Sequence, residues 1–278
     1  MNTVRLFFIP VFLLVSALSF AQTADSISLK TEYQPNKSYF NKFVFNTVRK
    51  TSISGTEEFL QQMKDTGFNI PNEKEIKDSI EFSLVTGNRE NDTIPVTLIV
   101  HNIPQLKRFP ENTKVFGKYD GIHSPVFYDV MLPDSSQINE IDKKLIIQFF
   151  QILFKQSDSP RKSVKIGDEV SRSYEITIEY ITGIPITTNV TTKYLLKKID
   201  GNFAYLDYIQ TISYSSNNIF KISGTGQASG TLIFDIENKV IHQSQLKRGI
   251  SNIELKIDGW GTFSVEDKVD SQQTISVE

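Results

Sequence analysis

The chain predicts an α+β fold, mainly antiparallel β, and three features carry that expectation. Apolar and polar residues alternate with period two along most of its length, the mark of half-buried strands. Turn pairs such as Asp200-Gly201 and Asp258-Gly259 punctuate the alternation. Residues 137–155 alone hold a sustained helical period. The architecture expected is a curved sheet or half-barrel with one long buried helix.

Taken in order, residues 1–21 read as a secretory signal peptide. Arg5 supplies the positive start, residues 6–15 an apolar run, and Ser19-Phe20-Ala21 a small-x-small cleavage site before Gln22. That run is shorter than the roughly 20 residues of a membrane span, so no transmembrane span is expected in the mature chain. Residues 22–38 are polar and unpatterned, a flexible N-terminal tail. Residues 39–134 form a β-rich region with a short helix. Its first strand puts Phe43, Phe45 and Thr47 on one face, and Thr56 caps a helix with Phe59, Leu60 and Met63 as its apolar stripe before Gly67. Residues 80–85 and 94–103 follow as strands around a polar turn. A hairpin over 115–119 and 126–131 turns at Asp120-Gly121.

Residues 135–278 form a helix plus a C-terminal β-meander. In the helix, Ile138, Ile141, Leu145, Phe149 and Ile152 make one stripe at spacings of three and four. From 145 to 154 only Gln148 and Gln151 are polar, more than one buried face needs, so cover on several sides is expected, with the helix against the concave face of the meander. Tyr174, Ile176, Ile178 and Tyr180 then alternate with Glu175, Thr177 and Glu179. Strands over 190–199, 203–214, 219–236, 240–246, 253–257 and 263–265 complete the meander. Their length favours coiling, since antiparallel sheets twist. Pro35-Asn36-Lys37 before Tyr39 and Gly167-Asp168-Glu169 before Tyr174 are a weak echo between the halves, as an ancestral duplication would leave.

The run Val164-Lys165-Ile166-Gly167-Asp168-Glu169, with Tyr194-Leu195-Leu196, residues 201–206 and Gly230-Thr231-Leu232-Ile233-Phe234-Asp235, resembles an uncharacterised family of exported Bacteroidota proteins. In that family a Val-x-x-Gly-Asp-x-Trp step introduces a C-terminal meander; Val170 stands where the family favours Trp. The resemblance implies location and architecture and carries over no active-site residue.

Composition excludes several classes. With 39% hydrophobic and 22% charged residues the chain is an ordinary globular one, not a disordered one. The roughly 260 residues after the leader can bury about 70–75% of their unfolded surface. A net charge of −2 gives no long-range attraction to nucleic acid. The absence of cysteine excludes disulfides, thiolate catalysis, Cys-ligated metals and a lipidated N-terminal cysteine. Together with export, these point to the periplasm, with the cell surface or extracellular space as alternatives.

No catalytic residues, metal ligands or cofactor site emerge. His101, His123 and His242 are scattered without metal-ligand spacing. The glycines of residues 224–230 lead into a strand rather than a helix N-terminus, so they read as bends, not a phosphate cradle. Glu175, Glu179, Glu254, Asp258, Glu266 and Asp267 are the carboxylates a hydrolase could pair. Ser26, Ser79 and Thr93 sit in Asp-Ser/Thr-aliphatic triplets that match a Bacteroidota O-glycosylation pattern, as chance in a Ser-, Thr- and Ile-rich chain also would. The apolar lead is Leu145, Phe149, Phe150, Leu153 and Phe154, which either line a groove or are helix–sheet core.

The leading functional reading is a non-catalytic, exported cell-envelope binding or structural protein. The alternative is a periplasmic carrier of lipid or another hydrophobic ligand, resembling the lipoprotein carriers. A carboxylate-based hydrolase comes third. The partner expected is a lipid or a hydrophobic segment of an envelope protein.

Overall fold

The computed structural model describes residues 26–67, 72–103, 110–134, 138–157, 162–181, 184–216 and 220–278. The expected signal peptide lies outside them. The first half runs β1 (Ser26–Ser28), β2 (Ser38–Gly55), α1 (Glu57–Asp65), β3 (Asn72–Thr86), β4 (Ile94–Asn102), β5 (Lys114–Tyr119) and β6 (Val126–Met131). Next come α2 (Glu140–Ser157), β7 (Ser163–Lys165), β8 (Glu169–Ile181), β9 (Ile184–Asp200) and β10 (Phe203–Ser215). β11 (Phe220–Asp235), β12 (Val240–Ile257) and β13 (Gly261–Val277) complete the chain.

Eleven strands form one antiparallel sheet in the order β6-β5-β4-β3-β2-β13-β12-β11-β10-β9-β8. Each half is a meander, and the halves meet where β13 lies against β2, in register from Gly261↔Gly55 to Val277↔Tyr39. The sheet is open: β6 and β8 end it and do not pair with each other. β1 and β7 form a separate two-stranded ribbon.

Alternation places the core on one face. Tyr39, Phe82, Leu84, Val96, Leu98, Val115 and Phe127 from β2–β6 are all buried. This greasy half of the sheet takes the helix. Ile146, Phe150 and Phe154, four apart on α2, are buried. The Phe150 ring meets Phe82 at 5.6 Å and Phe127 at 6.3 Å; Phe154 meets the same two at 5.8 and 5.3 Å. Each such side chain contributes roughly 1.5–3 kcal/mol by leaving water.

Three expectations are corrected here. The helix packs on the N-terminal half, not the C-terminal meander, because the Leu-, Val- and Phe-rich face is the one that needs apolar cover. It is not buried all round: Ile141 is 73% and Leu145 39% exposed, and the sheet-facing stripe is Ile146-Phe150-Phe154. Nor are residues 26–38 a loose tail. Ile27 and Leu29 are buried, Tyr33 sets its ring edge-on to Tyr39 and Tyr119, and the Gln34 N–H donates to the Tyr39 hydroxyl at 2.7 Å.

Both outer strands of the sheet are tied to α2. On the β6 side, Gln151 Nε2 donates to the Pro125 carbonyl at 2.9 Å, and Lys143 pairs with Asp129 at 2.7 Å. On the β8 side, Lys155 Nζ donates to the Glu175 carbonyl at 2.6 Å, while an Arg172 guanidinium N–H donates to the Lys155 carbonyl at 2.7 Å.

Candidate functional site

Because α2 covers the β2–β6 face, the inward face of β8–β12 borders open space instead. The register aligns its side chains in rows across the strands. One row is Tyr174, Val190, Ile212 and Gly226; the next is Ile176, Thr188, Tyr214 and Gly224. With Phe43 of β2, Gln273 of β13 and Leu153 of α2, the non-glycine members of these rows line an open cleft of about 400 Å³. That is within the usual range for a small-molecule site. Glycine on β11 gives the bulky neighbours room: Tyr208 is paired with Gly230, where a Cβ would lie 2.6 Å from the Tyr208 hydroxyl oxygen.

No Asp, Glu, Lys, Arg or His occurs among the described residues that line this cavity. Its polar groups are hydroxyls and amides. Burial pushes the Tyr174 phenol up to about 12, and burial likewise raises Tyr208, against a hydrogen bond with Ser244 that lowers it. Both phenols therefore stay neutral near pH 7. Gln210 Nε2 donates to Thr192 Oγ1 at 3.1 Å. Gln273 is 8% exposed, and its Nε2 is buried with no hydrogen-bond partner.

Of the five apolar helix residues, Leu153 alone borders this cavity. Phe150 and Phe154 are inside the aromatic core, Phe149 is half-buried edge-on to Phe150 at 5.2 Å, and Leu145 faces outward. Leu153 and Phe154 also border a much smaller gap of about 10 Å³ beside Tyr33, Ile241 and Ile275. The lining tyrosines, Gln210 and Gln273 were not anticipated as a group. Their one signal is the paired placement of Tyr208 and Tyr214 opposite the β11 glycines, visible once the hairpins are in register.

The remaining candidates are dispersed. Ser26 is opposite Lys165 in the β1–β7 ribbon. Ser79 Oγ accepts from Asn102 Nδ2 at 2.9 Å, and Thr93 donates to the Glu90 carbonyl at 3.3 Å. His101 bonds Ser83 at 2.8 Å, His242 lies against the Phe203 ring, and His123 pairs with Asp120 at 2.7 Å. Burial disfavours the charged Asp120 carboxylate, but hydrogen bonds from the His123 ring and the His123 and Ile122 amides outweigh it and hold the carboxyl well below the usual range. Asp258 is in an exposed ion pair with Lys221, and Asp267, its side chain mostly shielded, pairs with Arg49. Glu254 and Glu266 border a surface depression with Lys50 and Glu73, and Glu175 is exposed. The Glu179 side chain lies outside the described residues. Among the described residues no group of three His, Asp or Glu could hold a metal ion. No described helix is long and apolar enough to cross a membrane.

No protein-family model matches the chain. No curated protein matches it either. Among solved structures, the attachment invasion locus protein Ail of Yersinia pestis matches at a TM-score of 0.17 and 7% identity, over 87% of this chain and 100% of Ail. A likeness that loose carries no argument about fold or activity.

Proposed function

We propose that this is a non-catalytic, exported binding protein of the bacterial cell envelope, of the Bacteroidota family it resembles, that shelters a hydrophobic ligand under β8–β13. The observation that carries this reading is the uncharged cavity of about 400 Å³ beside Leu153 and Phe43. Its lining mixes Ile, Val and Leu with tyrosine, as small-molecule pockets do. The half-barrel form of the reading rests on α2. Laid flat, eleven strands about 4.8 Å apart would hold their edges roughly 48 Å from each other. Yet Gln151 and Lys155, about 6 Å apart along the helix axis, reach the β6 side and the β8 side respectively. A sheet curled around α2 and the cavity accounts for both contacts.

The expected result is that diphenylhexatriene, an uncharged hydrocarbon fluorophore, is taken up by the purified protein. Ile212→Trp, which projects a larger ring into the cleft beside Val190 and Tyr174, lowers that uptake severalfold with the circular dichroism spectrum unchanged. Native mass spectrometry of protein taken from its host shows an added mass. Failure of the probe to bind, with an empty native mass, removes the carrier reading and leaves a structural envelope role.

A further inference from the structure

A strip of exposed apolar side chains runs along one margin of the sheet. Among the described residues eleven large apolar side chains stand exposed, and four of them, Ile122, Val126, Tyr128 and Met131, fall within ten residues at β6. Phe127 and Val130 are buried, so Val126 and Met131 belong to the outer face. The bulge opposite Phe116 and Gly117 leaves Tyr128 unpaired and 57% exposed. Across the register, Lys118 stands opposite Val126 and Lys114 opposite Met131, with half-buried Phe116 between the lysines. Pro95 and Ile99 of β4 extend the same two rows. Lys114 and Lys118 are in no ion pair among the described residues. The nearby carboxylates Asp120 and Asp129 are engaged by His123 and Lys143. The outer face of β5–β6 is therefore apolar with two free positive charges.

The margin of β6 is already occupied. Gln151 Oε1 accepts from the Phe127 N–H at 3.3 Å, its Nε2 donates to the Pro125 carbonyl at 2.9 Å, and Asp129 Oδ1 accepts from the Val130 N–H at 2.9 Å. These contacts take backbone groups that a strand from another chain would pair with, so the face rather than the edge remains to bind. A second copy docked there by two-fold symmetry would bring four lysines into one dry contact with no carboxylate between them. A bilayer asks for no matching shape. Aromatic and aliphatic tips enter its interface, and lysine stems lie beside them with their ammonium groups at the phosphates. We propose that the outer face of β5–β6 docks on an anionic phospholipid bilayer, with Val126, Tyr128 and Met131 dipping into it and Lys114 and Lys118 on its phosphates. This surface acts whether or not the cleft under β8–β13 holds a ligand.

Vesicle flotation of the processed chain, residues 22–278, tests this. Vesicles of equal phosphatidylglycerol and phosphatidylcholine are expected to bind at least tenfold more tightly than phosphatidylcholine alone, and 0.5 M NaCl removes the difference. Lys114→Gln with Lys118→Gln abolishes the preference for the anionic vesicles, and Val126→Ser with Tyr128→Ser lowers binding to them about tenfold. A readout on the unmutated protein keeps the test independent of variants that fold. With methyl-labelled methionine, nitroxide-labelled lipid in the anionic vesicles broadens the Met131 resonance and leaves that of Met63, on α1, sharp. Equal binding to both vesicles, binding to neither, an unbroadened Met131, or binding unchanged in both variants overturns the proposal. A dimer in sedimentation that Tyr128→Ser abolishes assigns the face to a second copy and overturns it as well.

Discussion

A Cβ on Gly230 would lie 2.1 Å from the Gln245 carbonyl oxygen, in addition to crowding the Tyr208 hydroxyl. The nearer atom is backbone and cannot swing aside. Gly230→Ala should therefore lower stability by about 1–3 kcal/mol through overpacking, read as a lower urea midpoint. Gly226→Ala, whose nearest contact is 3.3 Å, should lose less. The glycine run reads as bends from the sequence, but it lies inside β11, with Gly224 and Gly226 in unbroken register; the one irregularity beside it, between Ser229 and Gly230, puts its extra residue, Lys247, on β12. Gln273 was not legible. In Ser271-Gln272-Gln273-Thr274 every side chain is polar, so no hydrophobic alternation marks which one turns inward, and only the pairing of β13 with β2 decides it.

The same limit governs whole elements. Along α2 nearly every residue from 145 to 154 is apolar, so periodicity finds the helix but cannot select its buried face. The rings of Phe82 and Phe127 select it, through contacts distant in sequence. β12 reads as two strands because its middle, Lys247-Arg248, is charged. It is one strand, with a bulge between Leu246 and Gly249 against β13. The ends of helices were more legible, since they depend on local groups: Thr56 Oγ1 accepts from the Phe59 N–H at 3.3 Å, as the spacing predicts. The segment before β2 is held by a small ionic clasp. Glu32 takes Lys239 at 2.6 Å and Lys30 at 2.7 Å, and hydrogen bonds from Lys239 first and Lys30 second hold its carboxyl below the ordinary 4.5, against the opposing effect of burial. A depressed carboxyl stabilises the fold above its unfolded value and ceases to as pH falls through its folded value. Hydrogen exchange at the Glu32 amide, which donates to the Lys239 carbonyl at 2.9 Å, should accelerate relative to the unfolded chain between pH 6 and pH 3. Glu32→Gln should flatten that change.

Across the whole molecule, the join between β2 and β13 makes one sheet of two meanders. Arg49 and Asp267 meet across it with two hydrogen bonds of 2.8 Å; the Arg49 side chain is 48% and the Asp267 side chain 14% exposed. Exposed pairs contribute about 0–1 kcal/mol, but a bidentate fork on a shielded carboxylate contributes more, so Arg49→Ala should lower the urea midpoint by the equivalent of about 1–2 kcal/mol. The backbone ladder and the burial of Ile275 and Gln273 also hold the join. A chain ending at Trp260 should lose cooperative unfolding altogether and elute as aggregate on size exclusion, since β2 and β12 would both become bare edges. Most of β13 escaped the sequence reading, which saw only residues 263–265. Its polar outward positions and inward Gln273 break the alternation that identified the others.

That join also sets the order in which the molecule can assemble. The second strand pairs with β3 on one side but finds its other neighbour only in the thirteenth, more than two hundred residues later, so the halves have no common register until that strand has been made. Contacts of that separation fold slowly. For most of its early life the nascent polypeptide carries the inner face of β2 beside an unfilled place in the ladder, which is the interval in which a chaperone has most to protect.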